Sequence, residues 1–368
     1  MTLLTPPATA FVSAGFSKEI SPMRHHLAPI PVRPWMLNGM SERLIVSHYE
    51  NNYGTAVRAL NAFRDELNAL DLATAPGHRI RALKREELIA MGSVALHELY
   101  FGTLGGDGKL TAAVATVLED QFGSVDAWRQ EFVAAAQSMR GGSGWVLLSY
   151  SRRDRRLYNQ IAFDHTQVIV DALPVLALDM YEHAYHIDFG ANAGAYIDAF
   201  MRNIDWAVVG ERFMEASANS SPRRDDVTDG SLPPVSVKEL SANYDAAAIE
   251  RLNLPSVSIE EFSAELVKSK RVQVLDARPK HYFSRNTDMM RGAVWKDPAR
   301  VDEWSKDLSS EAPVFVYCAY GFHVGCGVTA ALLERGFDAK YIRGGLSAWY
   351  AAGGERALKT PEPGPIET

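Results

Sequence analysis

Ten histidines and two cysteines are spread over 368 residues, and a few of them carry chemistry by type and position. His48 and His97 each fall on the inward apolar face of one of two consecutive long helical stretches, which a short link packs antiparallel. Asp179 and His183 follow an apolar run in the segment LALDMYEHAYHIDF. An acid set among apolar neighbours needs a partner. A borderline transition metal takes imidazole and carboxylate together. Three neutral imidazoles and one carboxylate form a donor set of single negative charge, suited to an ion that cycles between its trivalent and divalent states. A lone histidine on an apolar face is more often a core residue than a ligand. The pairing of two helical histidines with an Asp–His segment is more particular. The second constellation is Cys318, at the end of the run VFVYC and the start of the loop CAYGFH, ahead of a helix. Backbone N–H groups and the helix dipole at such a place favour thiolate. Cys326 is expected to face the interior of that helix.

The elements that must position these groups follow from periodicity and breaks. Residues 1–40 hold Pro6, Pro7, Pro22, Pro29, Pro31 and Pro34 and read as an irregular arm. Apolar residues at steps of three or four predict a helix over 42–72, and a second one fits 84–101, closed by Gly102. Two more helices are expected over 111–122 and 125–139, the latter capped by Ser124. Residues 144–150 and 156–163 read as strands with the charged turn 152–155 between them, and 173–178 is a third apolar run. Helices follow at 193–202 and 206–215. Segment 216–235 is rich in Ser, Asp, Gly and Pro and marks a linker. Beyond it, runs 272–276 and 314–318 are of parallel-strand type, with a helix over 328–335, a strand over 340–343 and a closing helix over 346–352. The fold class expected is α+β: a helical hairpin (41–105), a unit with a three-stranded antiparallel sheet (106–215), a linker (216–250), a small α/β domain with a parallel sheet (251–356) and a tail (357–368).

Hydrophobic residues make up 47% and charged residues 23%, which excludes a wholly disordered chain. Two cysteines exclude a disulfide scaffold. No uncharged apolar run reaches the length of a membrane span. A formal net charge of −7 without a basic tract argues against a nucleic-acid partner. The opening MTLLTPPATAFVSAG lacks the pattern of a secretion signal, so a cytoplasmic location is expected.

The segment DMYEHAY at 179–185, the Gly-Ser-Gly-Trp at 142–145, and Asn61 thirteen residues after His48 together resemble the iron/manganese superoxide dismutases over about 40–215. The resemblance implies four ligands, His48, His97, Asp179 and His183, on one iron or manganese ion per chain. It implies a cycle in which superoxide becomes dioxygen and hydrogen peroxide. A neighbouring side chain tunes the metal by hydrogen bonding; His165 is the choice here, with Gln167 as the alternative. Glu182 is similar to the family's bridge to a second subunit, which implies a homodimer. The chain departs from the pattern where Ala56 replaces a tyrosine and Asn52 a histidine, and Tyr53 or Tyr181 is the candidate substitute phenol.

The Cys318 loop, the Asp-Ala-Arg at 276–278 and the GGLSAW at 344–349 together resemble a rhodanese-type sulfurtransferase domain over about 255–355. The resemblance implies that Cys318 is the nucleophile that accepts and passes on sulfane sulfur between a small donor and acceptor. The loop ends in His323 where an arginine is common, which weakens the case for thiosulfate as donor. The expected function is a superoxide dismutase with an appended sulfurtransferase-like domain. The alternative is a metal-bound dimerisation module without turnover, joined to a persulfide-binding or redox-sensing module.

Overall fold

The computed structural model describes residues 24–218, 254–268 and 271–359. The chain opens with coil and a 3-10 turn, Pro34–Met36. It then enters one long helical rod: α1 (Glu42–Ser47), a π-helical stretch (His48–Tyr53) and α2 (Gly54–Ala69). The side chain of Ser41 caps α1 by accepting from the N–H of Leu44. A turn leads to α3 (Gly77–Gly102), which packs back along α2 as the apolar faces require. Helix α3 starts several residues before the expected 84, because its first turns are largely exposed and show no apolar period.

Helices α4 (Ala112–Phe122) and α5 (Val125–Ser138) start at the hydroxyl caps of Thr111 and Ser124. Strands β1 (Trp145–Ser151), β2 (Arg156–Ala162) and β3 (Ala172–Asp179) form an antiparallel sheet in the order β2-β1-β3. Every residue of β1 is buried. Helices α6 (His186–Phe189), α7 (Ala193–Arg202) and α8 (Trp206–Ala218) complete this unit. Because α8 runs to Ala218, residues 216–218 are helix rather than linker; the rest of the expected linker through 250 lies outside the described residues, as do residues 1–23 of the arm.

The second unit has a five-stranded parallel sheet in the order β4-β9-β8-β5-β7. Its strands are β4 (Ser256–Val257), β5 (Gln273–Asp276), β7 (Val294–Trp295), β8 (Val314–Tyr317) and β9 (Ala339–Ile342). Helices α9 (Ile259–Lys268), α10 (Lys280–Arg285), α11 (Val301–Trp304), α12 (His323–Glu334) and α13 (Gly345–Ala351) surround it. Strands β6 (Asp288–Met290) and β10 (Arg356–Leu358) pair antiparallel, so the first residues of the expected tail belong to the fold. The fold is thus α+β with a parallel-sheet second unit, as the residue pattern predicts.

The two units share a seam. Tyr320, Ala348 and Ala351 of the second unit join the same buried cluster as Leu44, Tyr49, Tyr53 and Val57 of the first. Glu42 accepts hydrogen bonds from the hydroxyls of Tyr282 and Tyr320. Glu50 accepts from the hydroxyl of Ser347 at 3.1 Å and from Arg356 at 2.9 Å. The arm is irregular yet packed: Ile30 and Val32 are buried, the carbonyl of Ala28 accepts from the Tyr49 hydroxyl at 2.6 Å, and the N–H of Leu27 donates to Glu260.

Candidate metal centre and cysteine loop

Four elements bring four donor atoms together. His48 opens the π-helical stretch, His97 lies on α3, and Asp179 ends β3 with His183 one turn beyond it. The donor atoms of these four side chains all lie within 4.8 Å of one another. Asp179 Oδ2 stands 3.1 Å from His48 Nε2, 3.1 Å from His183 Nε2 and 3.7 Å from His97 Nε2. Its other oxygen accepts the N–H of Tyr181 at 2.8 Å, which fixes the carboxylate plane. His97 Nδ1 lies 2.7 Å from the carbonyl of Ser93. A carbonyl only accepts, so Nδ1 carries the proton and the lone pair of Nε2 faces the cluster. Both nitrogens of His48 and Nε2 of His97 are buried without a hydrogen-bond partner among the described residues. His48 approaches Asp179 closely but lacks the alignment of a hydrogen bond.

Buried unpaired polar atoms are costly and call for an explanation. Orphaned lone pairs aimed at one carboxylate oxygen fit a metal ion, and the donor set suits iron or manganese. Burial pushes His48 below its usual range, and it takes His97 down to about 3. Both imidazoles are therefore neutral and ready to ligate. Burial raises Asp179, but the electrostatic attraction of His183, which also hydrogen-bonds it, and the close approach of His48 outweigh that and hold the carboxyl well below the usual range.

Around this cluster, the structure brings in His165 and Tyr181 but not Gln167. His165 Nδ1 accepts from Trp145 Nε1 at 3.0 Å, and its ring centroid lies 6.3 Å from that of His97. Tyr181 stacks between His165 and His183, at centroid distances of 5.0 Å and 5.4 Å. Gln167 is exposed, and its side-chain oxygen accepts the N–H of Phe163 at 3.0 Å. Tyr53 points to Glu98, which also meets His25 at 2.8 Å, so its phenol is engaged. Glu182 is exposed at the head of a 3-10 turn. Among these four side chains His183 alone is appreciably exposed, at 26%, which makes it the solvent side of the cluster.

Cys318 follows β8 directly and is buried, as is Cys326, and both are free thiols. The N–H groups of Tyr320, Gly321, Phe322 and Gly325 support its sulfur, yet burial outweighs them and raises the thiol above its ordinary range. The expectation of a favoured thiolate is thus corrected: the cradle is present, but the desolvation is larger. Burial pushes Cys326 up to about 12. The GGLSAW segment braces the loop, with Leu346 N–H donating to the Cys318 carbonyl at 2.9 Å and Ser347 N–H to that of Ala319 at 3.0 Å. Gly345 has φ +57°, and a Cβ there would collide with the Cys318 carbonyl, so only glycine permits this contact. The Asp-Ala-Arg motif is a wholly buried ion pair: Arg278 Nε and Nη2 donate to Asp276, which also accepts from the Tyr317 hydroxyl at 2.9 Å.

Known proteins are similar to the first unit of this chain. A superoxide dismutase [Fe] of Cupriavidus metallidurans is 54% identical over 194 residues, covering 53% of this chain and 98% of the relative. The chain belongs to the iron/manganese superoxide dismutase family. Another such iron protein, from Aquifex pyrophilus, is 36% identical over 201 residues (52% of this chain, 93% of the relative). A superoxide dismutase [Mn] of Haloferax volcanii is 31% identical over 199 residues (53% and 98%). The family model for the C-terminal domain of iron/manganese superoxide dismutases matches residues 110–212, and the rhodanese-like domain model matches 258–352.

Within the dismutase unit, several positioning groups escape sequence reasoning. The Ser93 carbonyl that sets the His97 tautomer is backbone and has no residue signature. Tyr196 donates to the Asp179 carbonyl at 2.8 Å and sits 3.3 Å from the Tyr100 hydroxyl; only its place on the apolar face of α7 hinted at burial. The Trp145 link to His165 needs the register of β1 to be known.

Proposed function

We propose that the chain is a metal-dependent superoxide dismutase whose second unit is a sulfurtransferase centred on Cys318. The observation that carries the first part is the convergence of three imidazoles and one carboxylate with orphaned, inward-facing nitrogens. His48, His97, Asp179 and His183 would hold one iron or manganese ion. When bound, that ion supplies the one-electron cycling that turns superoxide into dioxygen and hydrogen peroxide.

The chain's own residues prepare the site. Ser93 holds the proton of His97 on Nδ1, and the N–H of Tyr181 orients Asp179. Because Trp145 donates to His165 Nδ1, a neutral His165 keeps its proton on Nε2 and can offer it beside the cluster. Burial lowers the His165 range, so the ring is neutral in that role. Tyr181, stacked on both His165 and His183, covers part of the solvent side of the cluster. A second copy of the chain would meet this side through Glu182.

For the second unit, the buried cradle around Cys318 suits a nucleophilic sulfur that becomes a persulfide. Two assays test the proposal. His97→Ala and Asp179→Ala should each lose bound metal by elemental analysis and lose superoxide consumption. Full metal content in both would overturn the ligand assignment, and bound metal without turnover in the parent protein would favour the binding-module alternative.

A further inference from the structure

Cys318 opens into a cleft of about 700 Å³ between the two units. One wall comes from the dismutase side: Trp35, Arg43 and Val46. The other comes from the rhodanese-like side: Arg285, Phe322 and His323. The space is of the size that takes a small organic molecule and far exceeds a small inorganic oxyanion. Trp35 stacks on Tyr320 at 5.5 Å and meets Phe322 edge-on at 6.2 Å, giving the cleft an aromatic lip. Charge in the cleft is unbalanced. Among the described residues the one carboxylate lining it, Glu42, is occupied by two phenols. Neither Arg43 nor Arg285 forms an ion pair among the described residues. The loop itself ends in an imidazole, so the positive charge facing a ligand comes from these two guanidinium groups, one in each unit.

We infer that this cleft binds a carboxylate-bearing organic persulfide, with the dismutase unit supplying half of the substrate site. The inference rests on the sulfurtransferase proposal and adds its substrate class. Arg43 and Arg285 hold the donor's carboxylates, for which planar forks are suited, while Trp35 and Phe322 cover its carbon body. In the reaction the Cys318 thiolate attacks the outer sulfur of R–S–SH. The donor's S–S bond breaks, its electron pair leaves on R–S⁻, and a new S–S bond forms on Cys318. The proton of the outer sulfur stays with it or passes to the leaving thiolate. One sulfur is transferred and no oxidant is consumed.

The test uses the full-length, metal-loaded protein with two donors, glutathione persulfide and thiosulfate. Cys318 loading is read by mass spectrometry, and KM and kcat by thiol or sulfite release with cyanide present to take the sulfur off Cys318 as thiocyanate. The expected result is preferred loading by the persulfide. In Arg43→Ala its KM should rise about tenfold, with kcat nearly kept and KM for thiosulfate moving less than twofold. Arg43→Lys should recover part of the loss. Arg43 is exposed, and unchanged metal content in its variants shows that the fold is intact. Loading of Cys318 with KM unchanged in Arg43→Ala, or equal efficiency for thiosulfate, would overturn the cleft assignment and leave the sulfurtransferase proposal standing. Absence of sulfur on Cys318 from both donors would overturn both.

Discussion

A pair of glycine substitutions tests whether the two units are one packed body. Gly54 begins α2, and a Cβ there would stand 2.5 Å from the Ala351 carbonyl oxygen and 2.8 Å from its Cα. Ordinary contacts between heavy atoms lie near 3.5–4.0 Å, so α2 or α13 must withdraw by roughly 1 Å. Overpacking of this kind costs about 1–3 kcal/mol. Replacing a helical glycine by alanine returns about 1 kcal/mol. Gly327 lies inside α12, where an added Cβ meets nothing within 4 Å. Gly327→Ala should therefore raise stability by about 1 kcal/mol, while Gly54→Ala should leave it unchanged or lower it by up to about 2 kcal/mol. The propensity gain is common to both, so their difference, about 1–3 kcal/mol, isolates the clash. Urea unfolding followed by tryptophan fluorescence measures it. Equal stabilisation by both substitutions would refute the packing of the dismutase helix against Ala351.

Three further outcomes are expected. Arg278→Ala strands the buried carboxylate of Asp276 and should cost about 3–5 kcal/mol in denaturant unfolding, most of which a second change, Asp276→Asn, should restore. Since burial raises the Cys318 thiol, its thiolate is scarce at neutral pH; the rate constant for sulfur loading should keep climbing above the ordinary thiol range of about 8.5, and a plateau below that would contradict the burial argument. Glu182→Ala should shift the sedimentation of the protein toward monomer, and an unchanged profile would remove Glu182 from the subunit contact.

Much of the scaffold was legible because short-range chemistry decides it. Ser124 announces α5 as its cap, Gly123 ends α4 in a left-handed turn at φ +84°, and two apolar runs on either side of the charged turn 152–155 yield β1 and β2. The convergence of the four His and Asp side chains was legible in kind because Asp179 and His183 sit on a strand end and the following turn, while His48 and His97 fall on apolar helical faces. The π-helical stretch was not, since one widened turn leaves apolar spacing nearly unchanged. Strands β4 and β7, of two residues each, are too short to show a period. The seam escaped notice because Glu42 and Glu50 read as ordinary surface acids until the partner tyrosines and Arg356 are in place. The Cys318 range was misjudged because local backbone donors are visible in a loop sequence, whereas depth of burial is not.

Trp145 faces Asp179 directly across the β1–β3 ladder, and the register of that ladder shifts only farther along, between Leu148 and Ser149. A slip by one residue would turn the carboxylate to the opposite face, so the hydrogen-bonding frame locks the carboxylate to the indole. His165 instead hangs in the connection between β2 and β3, tied to the same indole by a single N–H. The division leaves one partner of Trp145 immovable and the other adjustable: lengthening or shortening that connection can retune the imidazole while the carboxylate keeps its place.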